Sequence, residues 1–191
     1  RTLLDGQVPV RSGEPSKHAI TRTLVVEQVT AVALDIVKLR LVSPDGLPLP
    51  RWTAGSHIDV ECGSPQVSRQ YSLCGAPAAA QALEIAVLRE PEGRGGSAWV
   101  HQHLRAGERV RIRGPRNHFR LDESSTSVIF IAGGIGITPI SAMARRALAL
   151  GMVYTLHYSG RNRASMALLD ELAALHGERL HLHISDEGSR I

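Results

Sequence analysis

Ser68-Arg69-Gln70-Tyr71-Ser72-Leu73-Cys74-Gly75 is the stretch on which the reading of this chain turns. Its composition predicts a strand, in which alternation sends Arg69, Tyr71 and Leu73 to one face and Gln70, Ser72 and Cys74 to the other. A guanidinium, a phenol and a hydroxyl crowded together are unusual in a plain barrel strand. Arginine holds phosphate through its planar fork, a tyrosine ring covers a flat aromatic ligand, and a serine hydroxyl hydrogen-bonds a ring nitrogen. Together these groups suit a flavin.

Working outward, short β-rich runs flank this strand: Thr23 to Val29, Ile36 to Leu41 and His57 to Glu61 before it, Leu83 to Leu88 and Arg109 to Arg113 after it. Turn-forming segments such as Ser43-Pro44-Asp45-Gly46 and Pro48 to Pro50 separate them. Six short strands without a long helix predict a closed six-stranded antiparallel barrel over residues 17–122. Residues 1–16, with Gly6, Pro9, Gly13 and Pro15 and little periodicity, read as an extension. Past a polar link at Leu121 to Ser127 the pattern changes. A buried apolar strand (Ser127 to Ala132), a helix (Pro139 to Leu150), a strand (Val153 to Tyr158), a helix (Ser165 to His176) and a strand (Leu180 to Ser185) predict a parallel-sheet α/β domain over residues 123–191.

Two glycine turns carry further chemistry. Gly93-Arg94-Gly95-Gly96-Ser97 follows the strand Glu84-Ile85-Ala86-Val87-Leu88 and precedes a short helix at Ala98 to Leu104. Ser97 suits an N-cap, and the glycines let backbone N–H groups turn toward an anion, which makes a phosphate site. In Ile129 to Pro139, a strand feeds Gly133-Gly134-Ile135-Gly136; Thr138 is placed to cap a helix whose first residue is Pro139. The third glycine of the Rossmann fingerprint is replaced by Pro139, and no acidic residue follows at the usual distance.

The Arg69-x-Tyr71-Ser72-Leu73 run resembles the flavin-binding strand of the ferredoxin-NADP reductase superfamily. Gly93 to Ser97 resembles that of one branch, the reductase components of phthalate dioxygenase and vanillate O-demethylase, in which the flavin is FMN. Gly133-Gly134-x-Gly136-x-Thr138-Pro139 is similar to the superfamily's turn for the pyrophosphate and nicotinamide of NAD(P)H. The resemblance implies that Arg69, Arg94, Gly95, Gly96 and Ser97 hold the FMN phosphate, and that Gln70 and Tyr71 contact the flavin. It implies that Ser72 approaches the flavin N5 and that the backbone of Ala86, Val87 and Leu88 runs along the ring system, with Leu88 where some relatives carry lysine. Gly133, Gly134, Gly136, Thr138 and Pro139 would receive the nucleotide. Ser72 and Thr138 are thus the candidate catalytic positions. Arg161, in Tyr158-Ser159-Gly160-Arg161-Asn162-Arg163, would meet the adenosine half. NADH is the expected donor, with NADPH the alternative if Arg161 and Arg163 bind a 2′-phosphate.

The same resemblance implies a flavin oxidoreductase that takes hydride from NAD(P)H and passes single electrons to a plant-type [2Fe–2S] domain or protein, and from there to a Rieske-type oxygenase. An FAD-binding reductase of the superfamily and a non-catalytic flavin module are the alternatives. Such a cluster needs cysteines that this chain lacks, since it has two, Cys62 and Cys74. The ferredoxin part is therefore expected to be a lost domain or a separate protein. The family's nucleotide domain continues past Asp186-Glu187-Gly188, so truncation at the C-terminus is expected, and a start at Arg1 rather than Met suggests missing N-terminal sequence.

Composition agrees with two modest cores: 191 residues, 43% hydrophobic. The net charge of +4 arises from 22 basic and 18 acidic residues without any block of like charge, so nucleic acid is not an expected partner. A basic surface still favours anionic cofactors and acidic electron-transfer partners. Two reduced thiols, no apolar run near the roughly 20 residues of a membrane span and no signal peptide lead to the expectation of a cytoplasmic protein. His181 and His183 are spaced for a strand metal site, whereas His101 and His103 diverge on a helix; no metal centre is expected. Trp52 and Trp99 read as packing residues and Gly114 to Phe119 as the structural barrel exit. No Gly-x-Ser-x-Gly elbow supports a serine hydrolase.

Overall fold

The computed structural model describes residues 20–64, 66–77 and 81–189; the expected extension at 1–16 lies outside them. Six antiparallel strands come first: β1 (Thr21–Ala33), β2 (Ile36–Val42), β3 (Ser56–Glu61), β4 (Ser68–Ser72), β5 (Leu83–Leu88) and β6 (Arg109–Asn117), in the spatial order β4-β3-β6-β1-β2-β5. Alternation builds the interior, so that Leu24 and Val26, Leu39 and Leu41, Ile58 and Val60, and Val110 and Ile112 all face inward and are buried. The outer strands meet just past β4, where Leu73 bridges Ile85 and the Cys74 N–H donates to the Glu84 carbonyl at 2.9 Å. That contact closes the barrel.

β1 outruns its expected bounds because bulges at Val26/Gln28 and Ala31/Ala33 interrupt the alternation without ending the pairing. Asp35 turns the chain into β2 with φ 56°, a conformation that Asp tolerates. Helix α1 (Gly96–His103) follows β5 and packs Val100 into the barrel end.

The second layer is a parallel sheet of β7 (Ser127–Gly133), β8 (Val153–Gly160) and β9 (Leu180–Ile184), in that order, connected by α2 (Ile137–Ala149) and α3 (Leu169–His176). The third helix starts four residues later than expected. Asn162 Oδ1 instead accepts from the Ser165 N–H at 3.1 Å, capping a separate 3₁₀ turn at Arg163–Ser165, and Leu168 then takes φ 61°, which no helix interior allows. The strand expected to be buried is buried on one face. Phe130 and Ala132 pack under the helices, whereas Ile129 and Ile131 on the other face are 69% and 60% exposed among the described residues.

α2 joins the layers. Its small side chains, Ser141, Ala142, Ala144 and Ala147, are buried, and Ser141 Oγ lies 3.2 Å from the Cys74 carbonyl at the barrel's closure.

Candidate active site

A cavity of about 390 Å³ lies between the barrel and the α/β layer. β4 contributes Arg69, Gln70, Tyr71 and Ser72. β5 contributes Ala86 and Leu88, the following loop Glu90 and Arg94, the start of α1 Gly96 and Ser97, and the α/β layer Ile135, Gly136, Thr138 and Pro139. The two faces expected of β4 do not separate these residues. β4 itself has no ladder with β5 among the described residues, the two being joined just past β4 at Leu73 and Cys74, so the cavity opens along the edge of β4 and takes residues from both faces.

Arg69 is held in place. Its Nη1 donates to its neighbour Ser68's carbonyl at 2.8 Å and its Nη2 to the Arg94 carbonyl at 3.0 Å. The guanidinium stem thereby lies against the glycine turn, where a Cβ on Gly96 would stand 2.5 Å from Arg69 Cγ. Tyr71 offers a second anchor. Its hydroxyl is buried without a hydrogen-bond partner, and burial pushes its pKa well above the ordinary phenol value, so it remains a proton donor. Leaving such a donor unpaired costs about 1–3 kcal/mol, and a ligand oxygen removes that cost. These features fit the phosphate and side-chain end of a flavin.

Ser97 and Thr138 do not cap helices as expected. The N-cap of α1 is Gly95, in the left-handed region at φ 79°, and Ser97 Oγ accepts from the Glu90 N–H at 3.1 Å. α2 begins at Ile137 after a 3₁₀ turn at Gly134–Gly136; Thr138 is its second residue and donates Oγ1 to the Ile135 carbonyl at 3.0 Å. The 3₁₀ turn bonds into the helix directly, which leaves no place for a side-chain cap. Pro139 is still within the first turn, where a missing N–H forfeits no helical bond.

On the α/β side of the cavity, Gly134 has φ 50° and needs to be glycine for its own backbone. Gly133 and Gly136 do not, with φ −124° and −61°. A Cβ at either would meet no protein atom within 4 Å. Among the described residues nothing demands glycine at these two positions, and of the two Gly136 lines the cavity.

No protein-family model matches the chain. Over 167 residues it is 46% identical to the phenoxybenzoate dioxygenase subunit beta of Ectopseudomonas oleovorans, covering 87% of this chain and 52% of that protein. Phthalate dioxygenase reductase, described as a modular structure for electron transfer from pyridine nucleotides to [2Fe–2S], superposes with a TM-score of 0.82 at 35% identity, covering 88% of this chain and 53% of that one. The chain is thus similar, over most of its own length, to reductases of the phthalate dioxygenase type. It also matches an intact type IV self-sufficient cytochrome P450 monooxygenase at 51% identity and a TM-score of 0.87, over 97% of this chain and 24% of that one. The chain thus spans about half the length of the curated reductases it matches.

Against this reductase family, several expected positions lie off the cavity wall. Val87 is fully buried in the barrel core, because alternation turns it away from Ala86 and Leu88. Gly95, Gly133 and Gly134 shape turns without lining the cavity, and Arg161 is exposed at the end of β8. Glu90 and Ile135 line it although no motif singled them out; each neighbours a glycine turn, and that adjacency was the one available signal. In the loop after β8, Arg163 pairs with Glu187 through Nε at 2.9 Å and Nη2 at 3.1 Å, and Asn162 Nδ2 lies 3.4 Å from Asp186.

Elsewhere, burial raises the Cys74 thiol to about 12. His157 Nδ1 and His183 Nε2 lie 3.0 Å apart, with the His181 ring stacked on His157. Among the described residues no group of three His, Cys, Asp or Glu side chains is arranged to hold a metal ion, and no helix is long and apolar enough to cross a membrane.

Proposed function

We propose that this chain is the flavin- and nucleotide-binding part of an NAD(P)H-dependent oxygenase reductase, delivering single electrons to an iron–sulfur acceptor. The observation that carries this reading is the convergence of β4, the Gly93 to Ser97 turn and the Thr138-Pro139 helix start on one cavity. FMN is the flavin that Arg69 and Arg94 suit, because two guanidinium side chains at one end of the cavity match a terminal dianionic phosphate. When bound, the flavin supplies an acceptor that takes two electrons together and releases them singly.

The side chains around it bind and orient. Arg69 and the N–H groups at Gly96 and Ser97 hold the phosphate end, and Tyr71 donates its proton to a ligand oxygen. Ser72 offers a hydroxyl to a ring nitrogen, while Ala86 and Leu88 exclude water from one side of the ring. Thr138 keeps its own hydroxyl proton on the Ile135 carbonyl, which leaves its oxygen as an acceptor toward the nicotinamide carboxamide. No side chain is asked to act as general acid or base in the hydride step. NADH is the favoured donor: Glu187 occupies Arg163 and adds negative charge where a 2′-phosphate would lie, leaving Arg161 for the adenosine half.

The test is an anaerobic visible spectrum of the purified chain before and after NADH, with the heat-released flavin identified. A visible flavin band that bleaches with NADH, and FMN in the supernatant, are expected. A band that persists would favour a non-catalytic flavin module, FAD in the supernatant the other reductase class, and absence of flavin after incubation with FMN would sink the site.

A second reading concerns the final acceptor. The notion of a Rieske-type oxygenase downstream of a plant-type ferredoxin rests on the dioxygenase relatives, whereas 51% identity over nearly the whole chain to a cytochrome P450 monooxygenase favours a haem oxygenase. Substrate-coupled NADH consumption, reconstituted with a plant-type ferredoxin and each oxygenase class in turn, separates the two.

A further inference from the structure

Two contacts tie the barrel to the α/β layer directly behind the cavity. Lys38 of β2 reaches across the join, with Nζ 3.2 Å from Glu171 Oε2 of α3 and 4.0 Å from Glu84 Oε2 of β5. Each acid also has a cation of its own: Arg40 Nη1 lies 3.2 Å from Glu84 Oε1, and Arg145 of α2 pairs with Glu171. Charges therefore alternate from Arg40 through Glu84, Lys38 and Glu171 to Arg145. The Lys38, Glu84 and Arg145 side chains are 22%, 22% and 20% exposed, while Glu171 and Arg40 are 39% and 34% exposed, so salt weakens the row in part. The second contact is Ser141, 1% exposed, whose hydroxyl lies 2.8 Å from the Thr138 carbonyl and 3.2 Å from the Cys74 carbonyl.

Their placement relative to the cavity matters. Glu84 stands two residues before Ala86, and Cys74 two residues after Ser72. Thr138, Ser141 and Arg145 are spaced i, i+3, i+7 and share one face of α2. The Ser141 contact thus links the end of β4 directly to α2, and the charged row links β5 to α2 through Lys38 of β2 and Glu171 of α3.

We propose that these contacts set the register between the two sides of the cavity, with Lys38 and Ser141 as positioning residues for hydride transfer. This inference rests on the reductase reading for its catalytic consequence, while its mechanical part concerns the chain alone. Misplacement by about 1 Å costs an oriented reaction up to about a hundredfold, so loss of the link slows the hydride step without weakening either ligand.

Lys38→Met isolates the link. Glu84 keeps Arg40 and Glu171 keeps Arg145, so no acid is left without a cation. The whole chain, its Lys38→Met, Ser141→Ala and Lys38→Arg variants are compared by amide hydrogen exchange over residues 68–75 and 137–145, and by the rate of flavin reduction at saturating NADH. Lys38→Met and Ser141→Ala are expected to exchange faster in those two segments and little elsewhere, and to reduce flavin about tenfold to a hundredfold more slowly at unchanged FMN affinity. Lys38→Arg is expected to match the parent. Unchanged exchange, faster exchange without a slower reduction, or a Lys38→Arg variant as impaired as Lys38→Met would each overturn the proposal. A parent chain that binds no FMN, or is not reduced by NADH, would refute the reductase reading instead, and the exchange comparison would still decide whether the register exists.

Discussion

The turn at Gly95–Gly96 and the turn at Gly133–Gly136 border the cavity from opposite sides, and their glycines answer to different demands. On the barrel side the demand is internal. Gly95 takes φ 79°, and a side chain on Gly96 would displace Arg69. On the nucleotide side only Gly134 has such a reason; Gly133 and Gly136 have ordinary φ values and empty space where a Cβ would point. On the reading proposed above, the open space at Gly136 is room for the bound nucleotide, so the second turn would carry more information about the ligand and the first more about the protein.

The sharpest way to break this comparison is Gly96→Val. Its branched side chain pushes Arg69 off the turn, and FMN affinity is expected to fall about a hundredfold, near the upper range for losing a charge-assisted hydrogen bond, with about 1–3 kcal/mol of overpacking cost. Fluorescence titration with FMN and urea unfolding measure the two; normal affinity would show that Arg69 does not act from its observed pose.

Next comes a matched pair. Gly136→Ala is expected to stay within about 0.5 kcal/mol of the parent while the KM for NADH rises roughly tenfold, a loss of about 1.4 kcal/mol. Gly95→Ala is expected to lose about 1–2 kcal/mol of stability from its left-handed backbone and to leave the KM for NADH alone. Thermal melts and steady-state kinetics read both, and a destabilised Gly136→Ala would erase the distinction.

A smaller effect is expected at the loop after β8. Glu187→Gln frees Arg163 and is expected to raise the kcat/KM ratio of NADPH to NADH by about threefold to fivefold, the scale of an exposed ion pair. An unchanged ratio would place the 2′-position elsewhere.

The smallest effects are those of pH on stability, and the two layers differ in sign. The Nδ1 of buried His176 on α3 lies 2.6 Å from the Tyr154 hydroxyl. Burial, followed by Arg145 and Arg179, holds its pKa below the ordinary 6.5. The unfolded chain then binds a proton that the folded chain refuses, so this contribution is intact above pH 6.5 and is lost as pH falls below it. Cys74 in the barrel works in the opposite direction. Its thiol, raised to about 12 from 9.0, keeps a proton that the unfolded chain has released, and stability declines as pH rises from about 9 toward 12. Urea midpoints across pH should flatten at the acid end in His176→Gln and at the alkaline end in Cys74→Ala.

Much of this was legible in the chain itself. Alternation at Leu39 and Leu41 or at Ile58 and Val60 marks a strand wherever it occurs, because the side-chain period of two is a local property of the backbone. The same holds for the order of strands and helices after Ser127, and Arg69, Tyr71, Ser72, Gly96 and Gly136, singled out by residue type, line one cavity. Local rules misled where a neighbouring turn competed for the same groups. Ser97 and Thr138 look like caps, yet one accepts from Glu90 and the other donates to Ile135, and Asn162 and Leu168 delay α3.

Other features were decided only by the tertiary structure. Glu90 and Ile135 entering the cavity, Val87 leaving it, Arg163 committed to Glu187, Lys38 reaching Glu171 across 133 positions and Ser141 reaching Cys74 across 67 depend on how closed elements pack. A one-dimensional pattern specifies which face of a strand or helix is apolar; it does not specify which distant polar groups that packing brings within hydrogen-bonding distance of one another.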